Sequence, residues 1–124
     1  QHTDSRVRTW VLSKALREND VDLLAMLVKA QGDPDVDIRL LAVTQLRYPI
    51  GRDEKPEQRD LRVDALRRAL SDPVSKVHRA AAFGLAFAGD ASVEELLSVY
   101  LVDPDLDTRL NARRALLRLH RTSQ

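Results

Sequence analysis

Apolar residues recur at three- and four-residue spacing along the chain, and nowhere do they alternate with polar ones over a strand-length run bounded by hairpin turns. This periodicity predicts helices over about 4–17, 20–31, 35–47, 57–71, 74–88, 91–102 and 105–120, and no sheet. Turn signals close three of them: Glu18-Asn19-Asp20, Tyr48-Pro49-Ile50-Gly51 and Gly89-Asp90. One helix differs from the rest. Val77, Ala80, Ala81, Phe83, Leu85, Ala86 and Phe87 leave 74–88 apolar almost all round, the mark of a helix covered on several sides. It is expected in the middle of a stack.

The same pattern repeats. Asp33-Pro34-Asp35-Val36-Asp37-Ile38-Arg39-Leu40-Leu41-Ala42 aligns without gaps on Asp72-Pro73-Val74-Ser75-Lys76-Val77-His78-Arg79-Ala80-Ala81 and on Asp103-Pro104-Asp105-Leu106-Asp107-Thr108-Arg109-Leu110-Asn111-Ala112. Each opens on Asp-Pro, with a β-branched residue at the fifth place after the Asp, a basic residue at the sixth and alanine at the ninth. A weaker copy opens the chain, with Val7-Arg8 in register, Val11 in the alanine slot and His2 in place of the Asp. From Val7 to Ile38, Val77 and Thr108 the steps are 31, 39 and 31 residues, so one unit carries eight extra residues, within 48–57. Leu27, Leu66 and Leu97 each stand six residues before the next Asp. Each unit therefore reads as a helical hairpin: the Asp carboxylate accepts free N–H groups at a helix start, and proline fits the first helical position. The recurring Ala42, Ala81 and Ala112 mark where first helices approach closely.

These residues resemble the HEAT-like repeat family, in the short bacterial form also found in phycobilisome lyases. The resemblance spans essentially the whole chain as three and a half repeats, about 1–32, 33–71, 72–102 and 103–124. It implies an all-α, right-handed α-α superhelix of about seven antiparallel helices, with the second helices lining a concave surface. It also implies a ladder between adjacent repeats, carried here by Asp33 with Arg39, Asp72 with His78, and Asp103 with Arg109. Arg8 lacks an Asp of its own, and His78 stands where the family has Arg, so that rung is expected to weaken as the imidazole loses its proton. The family is mostly a protein-holding scaffold, sometimes a nucleic-acid binder and rarely an enzyme.

Charge changes the picture little. Twenty Lys+Arg stand against nineteen Asp+Glu, a net +1, which gives no overall pull toward nucleic acid or an anionic membrane. With no cysteine, disulfides, zinc knuckles and thiol catalysis are excluded. No run is long and apolar enough to cross a membrane, and no signal peptide opens the chain. The first residue is Gln1 rather than Met, so the chain reads as a processed product or a piece of a longer protein. Sixteen Arg to four Lys hints at a GC-rich bacterial genome. A cytoplasmic location is favoured over a periplasmic or surface domain, although the compartment is not fixed by these residues.

Candidate chemistry is sparse. Asp33-x-Asp35-x-Asp37 and Asp103-x-Asp105-x-Asp107 suggest a calcium loop, but the sixth and twelfth positions are Ile38 and Thr44, then Thr108 and Arg114, rather than Gly and Glu. Helix starts are the expected reading. His2, His78 and His120 form no H-x-x-x-H pair, and four glycines build no phosphate loop. No metal, no cofactor and no catalytic residue is expected. Arg59, Arg62, Arg67 and Arg68 make 57–71 the most basic helix, yet Asp60 and Asp64 lie on the same face as Arg67 and Arg68. A neighbouring acidic segment and the lack of interleaved aromatics make nucleic acid an improbable ligand.

The expected function is therefore a non-catalytic protein-protein interaction scaffold. A partner would sit on a second-helix ridge of Lys29, Asp64, Arg67, Arg68, Glu95 and Ser98, or on the 48–57 loop through Tyr48 and Ile50. The alternative is a nucleic-acid-binding HEAT-like domain, as in helical-repeat DNA glycosylases. A bilin-lyase subunit is a third reading that no residue recommends. The last helix spreads Leu106, Leu110, Leu116, Leu117 and Leu119 over a wide arc, so self-association through it is expected unless further structure covers it.

Overall fold

The computed structural model describes residues 6, 8, 9, 23–49 and 53–122 of the 124-residue chain. Among them are six helices and no strand: α1 (Leu23–Ala30), α2 (Val36–Leu46), α3 (Pro56–Ala69), α4 (Ser75–Phe87), α5 (Glu94–Tyr100) and α6 (Leu106–Thr122). A 3₁₀ turn, Ala91–Val93, leads into α5, so the helix expected at 91–102 is shorter and begins in tighter geometry. Arg6, Arg8 and Thr9 are helical; the rest of the helix expected at 4–17, with Val7 and Val11, lies outside the described residues. So do Ile50 and His2.

Helices α2, α4 and α6 start within one residue of the expected positions, but the Asp of Asp-Pro is not the residue that caps them. In α2 the cap is Asp35, whose carboxylate accepts from the N–H groups of Asp37 and Ile38. Asp105 likewise takes the N–H and hydroxyl of Thr108. The Asp of Asp-Pro serves the turn just before: Oδ1 of Asp33, Asp72 and Asp103 accepts from the N–H of Asp35, Val74 and Asp105, at 2.8, 2.9 and 2.9 Å. This turn, which asparaginyl and aspartyl side chains favour, fixes the carboxylate, and in Asp33 and Asp72 Oδ2 then takes an arginine.

Helix ends are equally specific. At α4 Gly89 has φ of 84°, Gly89 N–H bonds Ala86 O and Asp90 N–H bonds Leu85 O at 2.9 Å. That is the paired closure in which a left-handed residue terminates a helix, a conformation only glycine adopts cheaply.

The recurring positions meet in one core. Leu27, Leu66 and Leu97 are fully buried, as are Ala42, Ala81 and Ala112, and Ile38, Val77 and Thr108 are buried beside them. Each buried leucine stabilises the fold by roughly 1.5–3 kcal/mol. Helix α2 packs on α4 and α4 on α6, while α1 and α3 pack on α2, α3 also on α4, and α5 on α6. Arg39 near the start of α2 reaches Asp72 before α4, and Tyr48 after α2 stacks on Phe87 at the end of α4. Arg118 late in α6 reaches Phe87 O at the same end, so helices α2, α4 and α6 run the same way, with their starts on one edge and their ends on the other. Helix α4 lies between neighbours on both sides, so every residue from Ala80 to Ala86 is buried. Gly84 permits the closest approach: a Cβ there would stand 3.2 Å from the Leu66 side chain and 3.4 Å from Arg47 Cα.

Candidate functional site

Three surfaces come into question, and they differ in how far the chain satisfies its own charges. The first is the edge where the helices start. Arg8 grips Asp33 with Nε to Oδ2 at 2.8 Å and Nη2 to Oδ1 at 3.0 Å. Arg39 grips Asp72 in the same way, at 2.7 and 3.3 Å, and its Nη1 also donates to the carbonyls of Asp33 and Pro34. Arg39 thus holds its own repeat by backbone oxygens, and both arginines hold the following repeat by a two-pronged ion pair. Burial works to raise the Asp33 and Asp72 carboxyls, but their arginines and the turn N–H groups outweigh it and leave both below 3.8. The third rung is missing: His78 Nδ1 contacts Asp72 O at 3.1 Å, and no ion pair joins its ring to Asp103. Imidazole is too short to copy the forked reach of arginine.

The second surface is the predicted ridge. Lys29, Asp64, Arg67, Arg68, Glu95 and Ser98 are all exposed, on α1, α3 and α5. Much of it is internally engaged. Arg67 pairs with Asp90 at 2.9 Å and leans toward Asp64 at 3.8 Å, Arg68 donates to Gln31, and the Ser98 hydroxyl bonds Glu94 O. Arg62 is not on this surface at all. It is 3% exposed, with its guanidinium on both Glu54 oxygens at 2.6 and 3.0 Å and on the carbonyls of Leu46 and Arg47. It fastens the long 48–57 connection to the end of α2.

The third surface was not legible in the repeat pattern. Where α2 and α4 end, Arg47, Tyr48, Pro49, Arg59, Arg62, Phe87, Ala88 and Arg118 enclose a cavity of about 300 Å³. Tyr48 folds back on Phe87, ring centres 6.0 Å apart, and still keeps 55% of its surface exposed. The guanidiniums of Arg118 and Arg47 lie 5.3 and 5.9 Å from the centre of the same Phe87 ring. Arg59 donates to Ala88 O at 2.6 Å and Arg118 to Phe87 O at 3.4 Å, so both cap the negative end of α4. Arg47 Nε is buried without a partner among the described residues. Among the described residues the lining holds four guanidiniums and no carboxylate, and that of Arg62 is engaged by the nearby Glu54.

No three or more His, Asp or Glu side chains converge into a metal site among the described residues. In the supposed calcium loops Asp33, Asp35, Asp103 and Asp105 accept from backbone N–H groups, and Asp33 also from Arg8. Among the described residues no helix is long and apolar enough to cross a membrane.

Only the internal period, and not outside similarity, informs the reading of these surfaces: no protein-family model matches the chain, and no curated protein matches it.

Proposed function

We propose that the chain is a non-catalytic protein-interaction module, a HEAT-like right-handed α-α superhelix whose seventh helix would be the one predicted at 4–17. The parallel stacking of α2, α4 and α6 and the arginine–aspartate pairs between successive repeats support this architecture. The partner surface it favours is the cavity beside the 48–57 connection rather than the second-helix ridge. One observation carries the choice: Arg47, Arg59 and Arg118, none met by a carboxylate among the described residues, line with an exposed tyrosine a cavity of about 300 Å³, whereas the ridge arginines are met by Asp64, Asp90 and Gln31. Donor-rich walls with an aromatic plate suit an acidic segment of another protein, whose carboxylates would take the spare guanidinium N–H groups.

A labelled glutamate-rich peptide tests this reading. It should bind at about 50 mM salt and lose about tenfold in affinity when Arg59→Glu and Arg118→Glu are combined, with helical circular dichroism unchanged. Arg67→Glu with Arg68→Glu should change it by less than about threefold. An equal loss from the ridge pair would return the site to the second helices. Tighter binding of a single-stranded oligonucleotide, collapsing by about 200 mM salt, would favour the nucleic-acid alternative.

A further inference from the structure

On the reading that the cavity beside the 48–57 connection is the partner site, we propose that the group entering it is a phosphotyrosine side chain of the partner protein. Its phosphoryl group sits among Arg47, Arg59 and Arg118, and its ring lies on Tyr48. The walls already hold a row of flat groups. Tyr48, Phe87 and Arg118 occupy one position of the repeat, separated by the 39- and 31-residue steps, and packing sets them side by side across the ends of α2, α4 and α6. Tyr48 lies on Phe87 with ring centres 6.0 Å apart and planes 20° from parallel, and the Arg118 guanidinium is 5.3 Å from the centre of the same Phe87 ring. Phe87 is half-buried between them, whereas Tyr48 keeps 55% of its surface exposed. A further ring extends this row by stacking on Tyr48.

The size of the cavity admits one side chain. About 300 Å³ stands at the lower end of ligand pockets, which run from roughly 300 to 1,000 Å³, and a helix or strand does not fit in it. Three of its guanidiniums carry unanswered charge. Arg62 is met by both oxygens of Glu54. Arg59 and Arg118 each give one N–H to a carbonyl at the end of α4, and no carboxylate pairs with Arg47, Arg59 or Arg118 among the described residues. Arg47 Nε is buried without an acceptor, an unpaired donor whose cost a nearby anion offsets. Ile50, Gly51 and Arg52, which complete the connection, bring no acid.

Charge then selects among side chains. A glutamate brings one negative charge and two oxygens to three guanidiniums. A phosphate monoester brings about −1.5 to −2 at pH 7 and three acceptor oxygens, one for each arginine. Arginine forks suit both anions, so charge and oxygen count decide between them. Phosphoserine carries the same anion but leaves the aromatic wall uncovered. Phosphotyrosine uses the arginines and the wall together.

The test titrates the intact protein with a short labelled peptide of glycine, serine and alanine around one phosphotyrosine. It should bind about tenfold more tightly than the same peptide with glutamate in that place, and at least about threefold more tightly than one with phosphoserine. Arg47→Gln, and Arg59→Gln with Arg118→Gln, should each weaken it about tenfold with helical circular dichroism unchanged. Tyr48→Ala, which touches none of the arginine contacts, should narrow the difference between phosphotyrosine and phosphoserine. Phenyl phosphate should displace the peptide at lower concentration than inorganic phosphate does. Equal binding of the phosphotyrosine and glutamate peptides overturns the proposal and leaves the acidic segment as the ligand. Binding of phosphotyrosine through the three arginines, with a glutamate-rich peptide unbound, supports the proposal and removes the carboxylate reading instead. Phosphotyrosine binding that the arginine variants leave unchanged overturns it by moving the site elsewhere. Inorganic phosphate that competes as well as phenyl phosphate overturns it too, since the ring then contributes nothing. Adenosine monophosphate binding about tenfold more tightly than the peptide assigns the cavity to a free nucleotide and likewise overturns it.

Discussion

The two edges of the helix stack use arginine in opposite ways. Where α2 and α4 start, Arg8 and Arg39 each face an aspartate of the following repeat, held by a turn N–H, and the charges cancel pair by pair. Where α2 and α4 end, Arg62, Arg59 and Arg118 cap backbone carbonyls, and among the described residues only Glu54 answers them, at Arg62. A pair that closes within the fold leaves little for a partner. A guanidinium that caps a carbonyl satisfies one N–H and keeps the others available. The ladder edge therefore reads as construction, and the other edge is where the proposed partner site lies.

The largest effect should come from the other edge, at Arg62. Arg62→Ala leaves Glu54 and two helix-end carbonyls without their donor at a 3%-exposed position, and should cost about 3–5 kcal/mol in urea unfolding. A cost below about 1 kcal/mol would mean that the connection is held by other contacts.

On the ladder edge the test is a matched pair. Arg39→Gln removes charge-assisted bonds to a carboxylate that is 5% exposed and should cost about 2 kcal/mol. Arg109→Gln removes no ion pair and should cost less than about 1 kcal/mol by the same measurement. Equal costs would show that the carbonyl contacts, common to both, do the holding.

Acid separates the edges further. The folded-state values of Asp33 and Asp72 lie below 3.8, so the stability from their pairing is present above about pH 4 and is lost as pH falls through those depressed values. Arg39→Gln should flatten the fall in urea midpoint between about pH 4 and 2. The carbonyl caps of the opposite edge have no proton to gain there, so Arg59→Gln should leave the slope unchanged.

The smallest effect on stability is expected at Tyr48. It stacks on Phe87 but is 55% exposed, and Tyr48→Ala should shift unfolding by less than about 1 kcal/mol while weakening the acidic peptide. A large loss of stability would make the ring a piece of the core rather than a binding wall.

The sequence by itself determined the helices and their core positions. Leu27, Leu66, Leu97 and the three alanines recur because each repeat places the same residue on the same side of the same helix, and burial acts on that periodicity. It also placed the apolar α4 in the middle of the packing, as the full burial of Ala80 to Ala86 shows. It put the starts of α2, α4 and α6 within one residue of those observed, but the pattern marks the Asp of Asp-Pro without saying which N–H its carboxylate meets. Only the tertiary structure decided which charges face one another. Arg62 reads as one more surface arginine of a basic helix, yet it is buried on Glu54, eight residues earlier, through a connection that no other repeat has. The cavity likewise gathers Arg47, Arg59, Phe87 and Arg118 from four different helices or their ends; Tyr48, Phe87 and Arg118 share one position of the repeat but differ in side chain. Periodicity in a chain records what every repeat does alike. A site assembled from what the repeats do differently exists only once they are packed together.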